Sequence, residues 1–360
     1  MRSTIGPDEK RYVGHKQTPR TVLSGQRIPA ALSCPAFAYI EASQLDSWFA
    51  THDSHPLAVI SFGKAASNAV DCPSMSLHLP QLIGPAQVEV WTSTQPVYTF
   101  RKDQFSAAMN DEVAAAFLTV EEEGGTPLED TTYAAYHRLL GELRELGYPH
   151  LWRAWNYFPR INERDNGLER YQRFCIGRHQ ALAEALLDFP DSLPAGTAVG
   201  TVSGPLHIMI LAGIRQATHL GNPRQVNAYE YPQIYGPRSP SFARATIGRL
   251  DGNAHLFVAG TASIVGHTSQ HPGFPEEQTR ETAENLRVLL NHAYGMTGAD
   301  FIGSHTSACY KVYVRDPDHL HVIHRTLQDT SLFLNHVLFL EGDPCRPELL
   351  VEIEGLITSD

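Results

Sequence analysis

The chain has 360 residues, 42% hydrophobic and 19% charged, with a formal charge of −11 from 28 Lys+Arg against 39 Asp+Glu. That is the composition of an ordinary globular protein of one large domain or a few small ones, without a disorder signature. A net-negative surface repels phosphate backbones and anionic lipid, which argues against nucleic acid and membranes as partners and leaves room for a small anionic substrate where arginines converge. The opening MRSTIGPDEKRYVGHK lacks the apolar core of a signal peptide, and no apolar run approaches the ~20 residues that span a bilayer. Five scattered cysteines (Cys34, Cys72, Cys175, Cys309 and Cys345) include no CxxC pair. An odd count without an export signal fits reduced thiols in the cytoplasm.

Up to about Pro56 the chain is rich in Pro, Ser, Gln and His and reads as a loosely structured lead-in with one strand at Ala36–Ile40. β-rich runs bounded by Gly or Pro follow at Leu57–Phe62, Gln87–Thr92 and Val97–Phe100. An ordered pattern then appears twice. Asp130–Leu146 carries Tyr133, Tyr136, Leu139, Leu140, Leu143 and Leu146 at helical spacing and ends in Gly147. The aromatic strand HLWRAWNYFPRIN, a helix over Leu168–Leu187 and the strands TAVGTVSG and PLHIMILAG complete the first unit. In the second, Glu276–Tyr294 is the helix, with Ala283, Leu286, Leu290 and Ala293 on one face. CYKVYVRD, a helix over Asp318–Leu334, NHVLFLEG and ELLVEIEGLI follow, about 160 residues after their counterparts. The repetition predicts an α+β protein of two related α/β units, 1–220 and 221–360, the first preceded by the lead-in.

The connector NPRQVNAYEYPQIYGPRSPSFARA has too much proline for a long helix or a central strand. Its tyrosines and arginines suit the lining of a cleft, or equally a surface linker. LFVAGTASIVGH beyond it reads as a buried strand ending in small residues that let a ligand approach the backbone.

No phosphate-binding glycine motif is present, and the Ser of GTVSG is misplaced for a nucleophile elbow. His319, His321 and His324 lie close together without the spacing of a zinc site, so neither a metal nor a cofactor is expected. In LLVEIEG, alternation puts Leu350, Glu352 and Glu354 on one face of a strand and Leu349, Val351 and Ile353 on the other. Such a strand is either a solubilised edge or the wall of a pocket, and spacing does not choose between the two glutamates. By the same alternation WRAWNYF puts Arg153, Trp155 and Tyr157 on one face, and CYKVYVR puts Lys311, Tyr313 and Arg315 on the equivalent face. Alternating cations and aromatics suit a planar carboxylated ring, with Arg178, Arg238 and Arg244 as further positive charge.

The segments SPSFARATIGRLDGNAHLFVAGTASI, EQTRETAENLRVLL, YKVYVRD and LLVEIEG resemble the YjgF/Rid superfamily in order and spacing. More closely, RAWNYFPRIN, RFCIGRHQAL, EYPQIYGPRSPSFARAT, GTASIVGH and CRPELLVEIEG resemble the chorismatases, over roughly residues 130–360. The resemblance implies two Rid-like, chorismate-mutase-like units packed around a shared cleft and release of pyruvate from chorismate. It implies Glu352 as the catalytic acid, with substrate-binding roles for Arg153, Arg178, Tyr231, Tyr235, Arg244, Lys311 and Arg315. It makes Gly260 and Cys345 product-determining: this pair is similar to the subtype that makes 3-hydroxybenzoate, whereas the hydrolytic subtype resembles Ala at both. A Rid-type imine deaminase is the rival enzyme, disfavoured because NHVLFLEG lacks the Arg typical of the strand before the last. A non-catalytic ligand-binding protein is the other alternative. Two units in one chain would imitate part of the trimer made by single-unit relatives, so a monomer or weak oligomer is expected.

Overall fold

The structure, a computed structural model, describes residues 37–52, 54–63, 72–122, 124–250, 252–302, 306–330, 332 and 336–359. Most of the expected lead-in, with Ala36 and Cys34, lies outside the described residues. Three segments each build one sheet. The first runs β1 (Phe37–Glu41), α1 (Leu45–Thr51), β2 (His55–Phe62), β3 (Ser74–Leu77) and β4 (Gln87–Ser93), in the order β1-β4-β2-β3.

The second segment runs β5 (Tyr98–Lys102), β6 (Phe105–Met109), β7 (Val113–Val120), α2 (Leu128–Glu145) and β8 (His150–Pro159). A small ribbon of β9 (Arg164–Asp165) and β10 (Leu168–Glu169) leads to α3 (Arg170–Ala185), β11 (Ala195–Thr201) and β12 (Leu206–Gly213). The third runs β13 (Thr218–Leu220), β14 (Ala245–Leu250), β15 (Asn253–Ala262) and a ribbon of β16 (Ile264–Val265) and β17 (Thr268–Ser269). It ends with α4 (Pro275–Thr297), β18 (Ser307–Val314), α5 (Leu320–Gln328), β19 (His336–Glu341) and β20 (Val351–Ser359).

The six-stranded sheets are ordered β5-β6-β7-β12-β8-β11 and β13-β14-β15-β20-β18-β19, one topology used twice. In each, two strands pair in parallel, β8 with β11 and β18 with β19, joined by a crossover helix, while the remaining ladders are antiparallel. These are the two expected α/β units. The reading of the chain ahead of them needs correction. Residues 37–93 are a third, truncated copy: β1, α1, β2, β3 and β4 repeat the order of β7, α2, β8, β11 and β12, again with a parallel pair, β2 with β3.

Two helices also differ from expectation. The last is shorter than Asp318–Leu334, because Pro317 opens a 3-10 turn and α5 ends at Gln328. α3 starts at Arg170 because Leu168 and Glu169 pair back onto Arg164–Asp165. Its start is held by a capping box in which Glu169 and Gln172 satisfy each other's backbone N–H groups. α2 stops before Gly147, whose φ of 92° needs a residue without a Cβ. Among the described residues no helix is long and apolar enough to cross a membrane.

Each sheet turns one face to its helices and the other to the two remaining sheets. In β8, Leu151, Ala154 and Phe158 pack under α2 and α3 while Trp155 and Tyr157 face the centre. In β20, Val351, Ile353 and Ile357 take the helix side. The central cluster draws Leu57 and Trp91 from the first sheet, Trp155 and Tyr157 from the second, and Phe257 and Tyr313 from the third. Trp91 spans them, with ring centroids 4.8 Å from Phe37, 5.6 Å from Trp155 and 6.4 Å from Phe257. Trp91→Ala should therefore destabilise the protein by about 3–5 kcal/mol in urea unfolding, whereas Leu187→Ala, at a fully exposed side chain, should change it by no more than ~0.5 kcal/mol.

Candidate active site

The carboxylate pair lies on the central face of β20. Antiparallel register sets Glu352 opposite Tyr313 and Glu354 opposite Lys311, while the other neighbour of Glu352 is Ala262 of β15. Glu352 and Glu354 are 4% and 2% exposed, so the strand walls an interior and is not a solubilised edge.

The two acids differ in their partners. Glu354 pairs with Arg153 Nη2 at 2.7 Å and Lys311 Nζ at 2.7 Å. It accepts hydrogen bonds from Thr197 Oγ1 at 2.5 Å, Trp155 Nε1 at 3.0 Å and the Tyr313 hydroxyl at 3.2 Å. Burial alone would raise its pKa, but Lys311 and Arg153 outweigh burial and hold it below the usual carboxylate range. Lys311 is in turn shared with Glu89 of β4 at 2.9 Å, and these carboxylates keep its ammonium charged despite burial.

Glu352 makes none of these pairings among the described residues. Burial first, and the ionised Glu354 next, push its pKa up to about 8, against the opposing pull of Arg153, Arg315 and Arg244. The carboxyl rests directly on Gly260 of β15: a methyl group there would overlap Glu352 Oε1. The Gly260 N–H is anchored to Thr197 Oγ1 at 2.9 Å. Cys345 is a neutral thiol whose pKa is raised to about 12 by burial and by the charge of Glu352.

The cations expected from the sequence fall into two groups. Arg153, Lys311 and Arg315 are already engaged. Arg153 Nη2 serves Thr197 and Glu354 and its Nη1 bonds Ala154 O. Arg315 clamps the loop before β20 through Leu349 O, Asp343, Pro344 O and Arg346 O. Arg178 and Arg244, in contrast, are buried and each leaves one nitrogen, Nη2 and Nε respectively, without a hydrogen-bond partner.

Arg178 is oriented by Tyr136, whose hydroxyl accepts from Nε at 2.8 Å and donates to Asn156 Oδ1 at 2.5 Å. Its Nη2 lies beside Gly196, next to Thr197. Arg244 bonds the Tyr231 hydroxyl at 2.6 Å, and its backbone carbonyl receives the N–H of Ala259, next to Gly260. Tyr235 bonds His267 at 3.1 Å, and its carbonyl receives the side chain of Gln172, tying the connector to the start of α3. The connector is therefore folded against the site; Arg238 on it is exposed.

One arginine was missed. Arg346, next to Cys345, stacks 3.9 Å above the Tyr235 ring, bonds His267 O and Ser269 Oγ, and leaves Nη2 unpartnered. It sits inside the CRPELLVEIEG motif and was passed over because no periodicity marks it. Three buried guanidinium groups, each with a nitrogen lacking a hydrogen-bond partner, and a buried neutral carboxyl are groups able to bind carboxylates and to donate a proton.

A sequence profile described as chorismatase FkbO/Hyg5-like, N-terminal, matches residues 89–212. The chain is 37% identical over 239 residues to a 3-hydroxybenzoate synthase of Streptomyces hygroscopicus, covering 63% of this chain and 69% of that one. It is 34% identical over 293 residues to a chorismatase of the same organism, covering 79% and 83%. A crystal structure of a chorismatase matches with a TM-score of 0.81 at 31% identity, over 91% of this chain and 99% of that one.

The raised pKa of Glu352 has a consequence for stability. The folded state keeps this proton up to about pH 8, while the unfolded state loses it near ~4.3. Between those values the folded state binds more protons, so this group's contribution to stability falls as pH rises. Glu352→Gln removes the dependence. Urea unfolding of the variant and the parent should diverge in the variant's favour by roughly 1–3 kcal/mol from pH 5 to pH 8.

Proposed function

The chain belongs to the chorismatase family, and from that premise we propose that it releases pyruvate from chorismate by protonation of the enolpyruvyl ether at Glu352, giving 3-hydroxybenzoate. The observation that carries this reading is the pairing of one buried neutral carboxyl, pKa about 8, with unpartnered donors on Arg178, Arg244 and Arg346. The arginines fit the two carboxylates of the substrate, and Tyr231 and Tyr235 fit the apolar faces of its ring.

Glu352 donates its proton to the terminal vinyl carbon, converting the enol ether to an oxocarbenium ion. The neighbouring ring hydroxyl attacks the ring carbon that bears the ether. That C–O bond breaks, its electron pair returns to the departing oxygen, and pyruvate leaves as the ketone. The hydroxyl proton returns to Glu352, and the resulting arene oxide rearranges to the phenol. Atoms and electrons balance without an added oxidant or water. Intramolecular attack prevails where the pocket excludes water and holds the hydroxyl in line. The Gly260 and Cys345 pair favours this outcome over hydrolysis, and the relative named 3-hydroxybenzoate synthase supports the same product.

Incubation with chorismate should yield pyruvate and 3-hydroxybenzoate in equal amounts, measured by coupled reduction of pyruvate and by chromatography. A dihydroxycyclohexadiene carboxylate would redirect the reading to hydrolysis; absence of pyruvate would leave deamination of an imine or non-catalytic binding. Glu352→Gln should lower pyruvate release by roughly 10²–10⁴-fold with the fold intact, and near-normal turnover would remove Glu352 from its role. Arg346→Met should raise KM by about 10–100-fold, the equivalent of one charged hydrogen bond. Gly260→Ala combined with Cys345→Ala should move product from hydroxybenzoate toward the diene diol.

A further inference from the structure

Glu354, left undecided by alternation and unused in the chemistry above, has the densest set of polar contacts around the site. It gathers one cation from the second unit, Arg153, and one from its own, Lys311, each at 2.7 Å. Lys311 also reaches Glu89, from the truncated unit, and stands 3.5 Å from the Tyr157 hydroxyl. Thr197 is the bridge to the acid. Its hydroxyl donates to Glu354 at 2.5 Å and accepts from Arg153 Nη2 at 2.5 Å and from Gly260 N–H at 2.9 Å. One donor and two acceptor sites are all that a hydroxyl has, so Thr197 is saturated and fixed. Gly260 is the surface on which the Glu352 carboxyl rests.

We propose that Glu354 is the positioning residue of this reaction: it binds Arg153 and Lys311 to itself and, through Thr197, fixes the Gly260 backbone beneath Glu352. On this view Arg153 and Lys311 are members of the positioning network, and Arg178, Arg244 and Arg346 are the cations left for substrate. The proposal rests on Glu352 being the proton donor.

Every charged or titratable group near Glu352 bears on the sign of the effect. Glu354 on its own strand disfavours its anion, and Cys345 stays a neutral thiol. Arg153 on β8, Arg315 after β18 and Arg244 before β14 favour the anion, and Arg346 lies beside Cys345 in sequence. Tyr171 on α3, whose pKa burial raises, is a neutral phenol facing Cys345 and Glu352. Neutralising Glu354 removes a negative charge and at the same time releases Arg153 and Lys311, and both changes stabilise the Glu352 carboxylate. The protonated fraction at neutral pH therefore falls.

The experiment is the pH profile of kcat/KM for pyruvate release from chorismate, pH 5.5–9.5, on the full chain. The parent should hold a plateau and decline above about pH 8. In Glu354→Gln that decline should move at least one unit toward acid, so that the loss relative to the parent is greater by about sevenfold or more at pH 8.5 than at pH 6. A uniform loss across the range, or an unmoved decline, overturns the proposal, since a scaffold role would scale activity without shifting the limb. Where Glu354→Gln does not fold, Thr197→Val and Thr197→Ser decide. Val should lower kcat tenfold or more with KM little changed and Ser should restore it; Val equal to the parent, or Ser no better than Val, overturns the proposal. A parent without pyruvate release, or a fully active Glu352→Gln, would instead overturn the functional reading itself.

Discussion

Two cations and two carboxylates meet where the three sheets join, and their mutual neutralisation is the constraint on which the rest of the structure depends. Glu89 comes from the truncated unit, Arg153 from the second and Lys311 with Glu354 from the third. All are at most 5% exposed. Removing one member of such a buried set strands the others, at a cost of about 3–5 kcal/mol. The aromatic packing around them, with Trp91 against both Trp155 and Phe257, supplies the apolar burial but has no means of choosing a register. The ion pairs do: a one-residue slip of β20 would turn Glu354 toward the helices and Ile353 into the charges. Closing that network commits the charge of Arg153 and Lys311, and Glu352, two positions along the strand, is left beside a committed anion in an interior that disfavours its own ionisation.

Repetition explains the scaffold, and departure from repetition explains the site. β8 pairs with β12 as β18 pairs with β20. Arg153 faces Leu211 where Lys311 faces Glu354, and Trp155 faces Met209 where Tyr313 faces Glu352. The second unit thus carries apolar side chains at both positions where the third carries acids. The cation of the second unit has no carboxylate on its own strand pair and reaches across to the third. The same edge of the second unit also seats the loop before β20: Gly200 and Asp343 exchange backbone hydrogen bonds at 2.8 and 3.0 Å, which places Cys345 near Glu352. One cleft is built for chemistry because one strand of the repeated set was given over to charge.

Local periodicity carried the sequence reading a long way. Helices such as Leu128–Glu145 and Pro275–Thr297 declare themselves through apolar spacing, and alternation correctly put Glu352 with Glu354 and Trp155 with Tyr157 on shared faces, which the structure turns to the centre. What was not legible depends on separation along the chain. The truncated unit has a helix of only 7 residues and strands joined out of order, so it left no pattern to count. Alternation shows that Arg153 faces inward, but its partner Glu354 lies 201 residues away on another sheet; a cation poised for a ligand and a cation already paired look alike in sequence. Thr197 gave no signal, being a threonine in a β-rich run. Arg346 is the reverse case: it stood within a recognised motif, and only its stacking on Tyr235 distinguishes it from a surface arginine.

The same contacts bear on how one site can lead to different products. A residue that selects between an internal hydroxyl and water is usually pictured as part of the wall around the reacting carbon. Gly260 is placed differently. A methyl there meets the carboxyl end of Glu352 and lies 3.2 Å from Thr197 Oγ1. The backbone at Gly260 has little freedom to retreat, because its N–H is held by a hydroxyl whose other two hydrogen-bonding sites are taken by Arg153 and Glu354. The side chain that yields is therefore the glutamate, whose far end is the flexible partner in the contact. Cys345 is an uncharged thiol whose pKa is raised by burial and by the charge of Glu352. Of the two positions at which the resemblance places the difference between subtypes, Gly260 thus touches the Glu352 carboxyl and Cys345 is coupled to it through charge. In the proposed reaction, moving this donor would change which face of the vinyl ether it reaches and what volume stays open beside the cation it creates. On the proposed reaction, product choice and proton delivery both depend on one contact, the carboxyl of Glu352 on the bare backbone of Gly260.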